Sequence, residues 1–190
     1  RRFRDVAGRC QTILNGLDDF SGNVFGREPW TRVVYLGSGG LQGAARESAL
    51  KVLELTAGKV AAFYDSPTGF RHGPKSLVNG ETRVVVFVSS HPYTRQYDLD
   101  LLSELRRDGE ALRVVAIAAG QDAAVTAGPH ILLPAAREFT DVELAFCFLM
   151  YAQAFALSES LHVGNTPDTP SANGTVNRVV KGVAIHPWVG

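Results

Sequence analysis

Hydrophobic and polar residues follow two different periods along this chain, and the switch between them outlines its elements. Over residues 2–17 the apolar positions recur every three or four residues, which predicts an amphipathic lead-in helix. A short apolar run at 32–36 ends in Gly37-Ser38-Gly39-Gly40, and a helical pattern follows over 44–57. The order predicted here is strand, tight loop and helix.

The same alternation continues along the chain. Further short β-branched runs at 60–63, 83–88, 114–118 and 130–133 predict four more strands, with a helix at 95–108 between two of them. Strands that alternate with helices form parallel sheets covered on both faces. We therefore predict an α/β fold, a three-layer sandwich whose central, mostly parallel sheet is flanked by helices.

The last third of the chain predicts one buried helix and a returning tail. Thr140 and Glu143 have the spacing of a capping box, which places a helix start at Asp141. The apolar stretch 142–157 is shorter than the roughly 20 residues that a membrane span needs, so we expect a buried helix. The polar segment 164–174 predicts a surface loop, and the β-branched segment 176–185 predicts a tail that returns to the body.

Composition narrows the class of protein. With 190 residues and 45% hydrophobic content, one domain with one substantial core is expected. Its 19 basic residues balance 19 acidic ones, so no overall field attracts nucleic acid or a membrane surface, and an anionic ligand needs a local pocket.

Cysteine usage and the first residues bear on location and completeness. Cys10 and Cys147 are far apart in sequence and fit no metal-ligand spacing, which favours a reducing, cytoplasmic location and no metal or cofactor. The chain starts with Arg1 and shows no signal-peptide pattern, so we expect the natural start to lie upstream.

Three loops are expected to share one rim of the sheet. In open parallel sheets ligands bind at the carboxyl ends of the strands, where the loops 37–40, 64–70 and 89–94 should meet. Glycines there allow close backbone approach, and hydroxyls and free amides suit a phosphate dianion. The predicted substrate-binding residues are Gly37, Ser38, Gly39, Ser89, Ser90 and Thr94. The alternative is that these residues only form turns.

The helix after the first loop carries a charged stripe. Glu47, Lys51 and Glu54 fall within about 60° of one another on a helix whose other positions are mostly Ala, Leu and Val, so we expect the rest of this helix to be buried. The stripe is either a solvent-facing ladder or a set of acid–base groups. His72, in the segment 69–76, is a candidate proton-transfer group or a solvated loop histidine. Lys181 lies in an apolar run of the tail, where a snorkelling surface lysine is the alternative.

Several segments together carry a family resemblance that covers nearly the whole chain. They are 47–60, 69–76, Ser89-Ser90, 92–98 and 174–183. The chain resembles the second sugar isomerase (SIS) domain of double-domain phosphosugar isomerases, most closely the tagatose-6-phosphate ketose/aldose isomerase type. This resemblance implies a flavodoxin-like SIS domain at 21–190, preceded by an interdomain helix at 1–20. It also implies that an upstream SIS domain, which supplies much of the phosphate pocket, is missing here.

Catalytic roles follow by similarity to the related isomerase domain of glucosamine-6-phosphate synthase. The matching positions are Lys51, Glu54, His72 and Lys181. The resemblance implies that Glu54 is the general base, that Lys181 stabilises the developing negative charge, and that Lys51 assists charge balance and ring opening. It implies that His72 shuttles the ring-opening proton and reaches the site from a neighbouring subunit. A homodimer or a larger assembly is therefore expected.

The activity implied by the resemblance is conversion of galactosamine 6-phosphate to tagatose 6-phosphate and ammonia. Ketose/aldose isomerisation without loss of ammonia is the near alternative, and a non-catalytic sugar-phosphate sensor is a second. A dinucleotide-binding module is a third, because Gly37, Gly39 and Gly43 follow a strand and Asp65 ends the next one. Its glycine spacing departs from the usual fingerprint.

Overall fold

A five-stranded parallel sheet forms the centre of the computed structural model, which describes residues 2–17, 24–26, 28–133, 136, 138–171, 173–174 and 182–188. The strand order is β2-β1-β3-β4-β5, and every neighbouring pair is parallel. The strands are β1 (Arg32–Gly37), β2 (Ala61–Asp65), β3 (Thr82–Phe87), β4 (Arg113–Ala118) and β5 (His130–Leu132). The predicted parallel sheet is confirmed, and each strand begins and ends within two residues of its predicted bounds.

Helices cover both faces of the sheet. They are α1 (Arg2–Asn15), α2 (Gly40–Leu55), α3 (Pro67–Arg71), α4 (Pro92–Asp108), α5 (Ala123–Thr126) and α6 (Asp141–His162), with a 3-10 turn at Pro74–Leu77. One core cluster joins the sheet to α1, α2 and α6, and a second joins its other face to α3, α4 and α5. The three-layer α/β sandwich is therefore confirmed.

Two helices begin earlier than their hydrophobic pattern predicts. Helix α2 starts at Gly40 rather than near Ala44, because Gly39 adopts a positive φ of 54° and turns the chain into the helix directly after the strand. Helix α4 starts at Pro92 rather than Arg95, since proline suits the first helical position, where its missing N–H has no partner to lose. Glycine and proline therefore set these two starts.

The central strands are buried, whereas the edge strand β2 is partly exposed. Val34 and Tyr35 of β1 are fully buried and point to opposite faces, each into one of the two core clusters. Strands buried on both faces read as continuous apolar runs, which is why they were visible in the sequence. Strand β2 lies at the sheet edge, and its Phe63 and Tyr64 are 43% and 44% exposed.

Helix α6 is a core helix. By length and composition alone it could cross a membrane, yet its inner face is buried, with Leu144, Cys147, Phe148, Ala152, Phe155 and Ala156 packed into the core. The predicted capping box is confirmed, since the Thr140 N–H donates to Glu143 Oε2 at 2.8 Å. The prediction of a buried helix is confirmed for this inner face, whereas Val142, Phe146, Leu157 and Leu161 on the other face are exposed.

Helix α1 lies against α6. Val6 is buried, and Arg2 pairs with Glu143 at 3.3 Å. Cys10 and Cys147 are free thiols that the fold brings into contact, and burial, followed by the proximity of Cys10, raises the pKa of Cys147 to about 12.

The described part of the tail, residues 182–188, has no regular secondary structure and is exposed, with Ile185 at 94%. Residues 175–181 lie outside the described part of the chain. The return of the tail, and the division into 1–20 and 21–190, stay predictions.

Candidate active site

The order in which the strands are added to the sheet reverses direction between β1 and β3. Chain order runs outward from β1 to β2 and then resumes on the other side of β1 with β3. In doubly wound sheets this switch point opens a crevice at the carboxyl ends of the strands. Gly37 lies in register with Phe87, so the loops that begin at Ser38 and at Val88 flank that crevice. Leu36 lies in register with Asp65, so all three loops predicted to share one rim begin at the same edge of the sheet, which confirms that prediction.

A buried carboxylate joins the two loops. Asp98 of α4 is fully buried, and it accepts hydrogen bonds from the Ser38 hydroxyl and, at 2.8 Å, from the Ser89 N–H. Burial raises the pKa of Asp98 to about 6, although both hydrogen bonds and Arg95 act in the opposite direction. The proximity of Asp141 adds to the increase.

A second carboxylate takes the remaining donors of the β3 loop. Asp141, in the first turn of α6, accepts from the Ser89 hydroxyl at 2.6 Å, the Ser90 N–H at 2.7 Å and the Ser90 hydroxyl at 2.9 Å. Arg95 in turn donates to the Ser89 carbonyl at 3.3 Å. The loop is therefore held by groups of its own chain on both sides.

Ser38, Ser89 and Ser90, whose predicted role is phosphate binding, donate to carboxylates of the same chain in this structure. A phosphate placed among these donors would face two carboxylates, and the phosphate-binding role stays a prediction. Thr94 contacts His91 Nδ1 at 3.4 Å rather than the crevice donors.

The two predicted binding glycines have structural explanations as well. A side chain at Gly37 would meet the Leu41 carbonyl oxygen at 2.4 Å, and Gly39 provides the positive φ before α2. Asp65, the candidate ribose-binding acid of the dinucleotide alternative, accepts from the N–H of Ser66 at 2.7 Å, and Ser66 is the N-cap residue of α3.

The charged stripe on α2 exists as predicted. Lys51 Nζ lies 2.7 Å from Glu54 Oε2 and 3.4 Å from Glu47 Oε1. The hydrogen bond to Glu54 is the largest cause that raises the pKa of Lys51 above its ordinary value. Lys51 and Glu54 thus form a close ion pair on α2.

The surroundings of the stripe differ from the prediction. The side chains of Lys51 and Glu54 are 29% and 42% exposed, and Leu50 and Leu53 beside them are 43% and 38% exposed. The expectation that the rest of α2 is buried is wrong on this face, because α2 covers the edge strand β2 and no further layer packs outside it among the described residues. The Lys51–Glu54 ion pair therefore lies beside two exposed leucines on the outward face of α2.

His72 lies in the other layer of the sandwich. It follows α3, whose Phe70 belongs to the core cluster opposite α2, and its side chain is exposed. It borders a concave surface of about 410 Å³ between the 3-10 turn and the end of α4. Within the described ranges no hydrogen bond or ion pair joins His72 to Lys51 or Glu54. One chain therefore unites Lys51 with Glu54 but not with His72, and Lys181 lies outside the described residues.

Asp98 and Asp141 are the polar residues that sequence reasoning missed. The signal for Asp98 was present, since Asp98, Leu101, Leu102 and Leu105 have the spacing of one buried helical face, and all four are buried. Asp141 gave no comparable signal, because an acid in a first helical turn is ordinary.

A parallel sheet in this order, covered by helices on both faces, defines a doubly wound α/β domain. The chain belongs to the SIS domain family, whose model matches residues 28–162.

Similar proteins extend this assignment. The chain is 79% identical to an Escherichia coli protein named D-galactosamine-6-phosphate deaminase AgaS, over 98% of this chain and 48% of that protein. A protein of the same name from Shewanella sp. (strain ANA-3) is 45% identical over 85% of this chain and 39% of its own length. The crystal structure of tagatose-6-phosphate ketose/aldose isomerase from Escherichia coli superimposes with a TM-score of 0.88 at 73% identity, over 100% of this chain and 48% of that one. The chain thus spans about half the length of the relatives that it matches.

Proposed function

We propose that this chain is one half of a phosphosugar isomerase/deaminase that acts on an amino-sugar phosphate, and that its helix α2 carries catalytic residues. The proposed reaction converts galactosamine 6-phosphate and water to tagatose 6-phosphate and ammonia. The names of the similar proteins support this substrate and product pair. The observation that carries the proposal is the Lys51–Glu54 pair, a carboxylate and an ammonium 2.7 Å apart on an exposed helix face.

The chemistry requires one group that moves a proton between two adjacent carbons. In the open-chain sugar, Glu54 removes the proton from C2, the C2–H electron pair forms a C1=C2 double bond, and the C1 oxygen takes up a proton from water to become a hydroxyl. Glu54 then returns its proton to C1, while the amino nitrogen forms the C2=N bond and gives up an N–H proton to water, which yields the C2 imine. Water then adds to C2, and ammonia leaves to give the 2-ketose phosphate. One carboxylate serves both proton transfers, which is the role proposed for Glu54.

Cations around this carboxylate complete the proposed site. Lys51 balances the charge of Glu54 and assists ring opening, and Lys181 stabilises the negative charge that develops on the C1 oxygen. His72 transfers the ring-opening proton. Since His72 lies in the opposite layer from α2, we propose that a second copy of the protein brings its His72 to the site. A homodimer or larger assembly in the cytoplasm is part of this proposal.

The proposal also includes a second protein surface that shields the site from water. The exposed faces of Glu54, Leu50 and Leu53 need a lid that excludes water, since low-dielectric surroundings strengthen electrostatic stabilisation. We propose that the remaining half of the parent protein provides this lid and the phosphate pocket. The donors of Ser38, Ser89 and Ser90 are committed to carboxylates here, which supports a phosphate site outside this half.

The test compares wild type with Glu54→Gln in the full-length protein that contains this chain. With galactosamine 6-phosphate as substrate, ammonia and ketose phosphate are followed together. We expect both products from wild type and a loss of at least about a hundredfold in kcat for Glu54→Gln. Glu47→Gln is the matched control, because Glu47 is another carboxylate that pairs with Lys51, one turn away on the same helix. Its loss should lower kcat by less than about fivefold.

Three outcomes contradict parts of the proposal. Equal losses in both variants mean that the charge ladder, rather than a general base, matters. Interconversion of ketose and aldose phosphates without ammonia replaces deamination by isomerisation. Binding of the sugar phosphate with neither reaction favours the non-catalytic sensor.

A further inference from the structure

The turn that carries His72 is tied to α4 through two carboxylates, of which Glu104 contacts both sides of the turn. Glu104 Oε2 lies 2.5 Å from Arg71 Nη2, and its other oxygen, Oε1, pairs with Lys75 Nζ. Lys75 also pairs with Asp108 Oδ2 at 2.5 Å. Arg71 and Lys75 stand on either side of the His72-Gly73-Pro74 segment. Glu104 therefore holds both ends of the turn with its two oxygens.

These ion pairs are partly sheltered from water. The side chains of Glu104, Lys75 and Asp108 are 20%, 27% and 29% exposed. The hydrogen bond from Lys75 is the largest cause that lowers the pKa of Glu104, and the bond to Asp108 is the largest that raises the pKa of Lys75. Both shifts favour the charged forms of Glu104 and Lys75, so these two groups are charged around neutral pH.

The backbone of the turn is held mainly by short-range bonds. The His72 N–H donates to the Gly69 carbonyl at 3.1 Å, and the Ser76 N–H donates to the Gly73 carbonyl at 3.0 Å. Such bonds shape the turn but do not fix its position relative to α4. Buried Phe70 anchors the end of α3 that precedes it. After Phe70, the described contacts between this turn and α4 include the ion pairs of Glu104 and Asp108.

We propose that Glu104 is a positioning residue for His72, acting through Arg71 and Lys75. This inference rests on the proposed function, in which His72 delivers the ring-opening proton. An exposed histidine on a loosely held turn samples many positions, and a misplacement of about 1 Å in a reacting group can cost about a hundredfold in rate. A two-point carboxylate clamp at the base of the turn limits this loss.

A double-mutant cycle in the full-length protein tests whether Glu104 acts through His72. The variants are Glu104→Gln, His72→Asn and their combination, with galactosamine 6-phosphate as substrate. We expect Glu104→Gln to lower kcat by at least about tenfold with KM changed less than about threefold, and to have less than a twofold effect in the His72→Asn background. Equal losses in both backgrounds, or no loss in either, overturn the inference.

Amide hydrogen exchange of the segment 69–76 gives a readout that does not depend on turnover. We expect exchange at least about tenfold faster in Glu104→Gln than in wild type, since the clamp is the tie that is lost. Asp100→Asn is the control, because Asp100 is exposed on the same helix and outside the ion-pair cluster. Unchanged exchange in Glu104→Gln shows that the turn is held without the clamp and overturns the inference.

The two measurements separate failure of the clamp from failure of the proposed function. If wild type releases no ammonia, or if His72→Asn keeps full activity, the proposed catalytic role of His72 is wrong. A positioning role for that reaction is then wrong as well, while the exchange experiment still decides whether Glu104 holds the turn.

Discussion

The carboxylate of Asp98 lies between Ser38 and Ser89 and accepts one hydrogen bond from each, so a helix residue ties together the loops that follow β1 and β3. Ligand anions commonly occupy this position at the switch point of doubly wound sheets. Here the anion belongs to the chain itself, and it is fully buried.

Asp98→Asn should remove a pH dependence of folding stability. Burial raises the pKa of Asp98 from 3.8 to about 6 in the folded state. Its stabilising contribution is therefore fully present below about pH 4 and is lost as pH rises through about 6. Asparagine stays neutral and can still accept from the Ser89 N–H. We expect the variant to match wild type near pH 4 and to exceed it by about 1 to 3 kcal/mol near pH 7.5.

Urea unfolding of the chain at both pH values measures this difference. Asp141 and Arg95, the charged groups nearest to Asp98, are unchanged in the variant. Exposed Asp100→Asn, on the same helix, should show no such pH-dependent gain. A variant that is less stable than wild type at both pH values would show that the charged hydrogen bonds outweigh the burial of the charge.

Inorganic phosphate should not stabilise this chain. A site of about millimolar Kd would add about 1.4 kcal/mol at about 10 mM phosphate, which for a domain of this size raises the Tm by roughly 3 to 6 °C. Because Ser38, Ser89 and Ser90 donate to Asp98 and Asp141, we expect a rise below about 1 °C relative to sodium chloride of equal ionic strength. A saturable rise in the Tm would contradict this expectation and support the predicted phosphate site.

Two glycines near the first crossover should respond oppositely to alanine. A Cβ at Gly37 would lie 2.4 Å from the Leu41 carbonyl oxygen, a backbone atom that cannot turn away, so Gly37→Ala should cost about 1 to 3 kcal/mol or more. A Cβ at Gly43 meets nothing within 4 Å, and Gly43→Ala should stabilise α2 by about 0.5 to 1 kcal/mol. Equilibrium unfolding measures both, and equal effects would contradict this packing.

Arg106 should be far more important for stability than its neighbour Arg107. Its guanidinium donates to four backbone carbonyls around α5 and the ends of β4 and β5, those of Val114, Ala124, Val125 and Pro129. Arg106→Ala would leave several of these without a partner and should cost about 2 to 4 kcal/mol. Arg107→Ala, with a side chain 75% exposed, should stay within about 0.5 kcal/mol.

Chemical denaturation of Arg106→Ala and Arg107→Ala measures both free energies of unfolding. The comparison separates the loss of hydrogen bonds from the loss of a positive charge. Arg106→Lys keeps the charge but not the planar set of donors, and it should recover only part of the loss. Full recovery by lysine would contradict the carbonyl-binding explanation.

Much of the fold could be predicted because each central strand is buried on both faces. Such strands appear in sequence as continuous apolar runs, and the helices between them require a parallel sheet. Local chemistry also predicted the start of α6, where Thr140 and Glu143 form the capping box. The starts of α2 and α4 were misplaced because Gly39 and Pro92 set them, not the apolar period.

The contacts of the candidate site are likewise of two kinds, those between neighbours in the chain and those between residues far apart in it. The sequence by itself determined that Lys51 and Glu54 meet, since residues three apart on a helix are neighbours whatever the rest of the chain does. Only the tertiary structure decided that Ser38 and Ser89 turn to Asp98, that Asp141 takes the remaining donors of the loop, and that His72 lies in the layer opposite α2. These relationships join residues far apart in the chain, and they depend on strand order and on which face each helix covers, which no local pattern encodes.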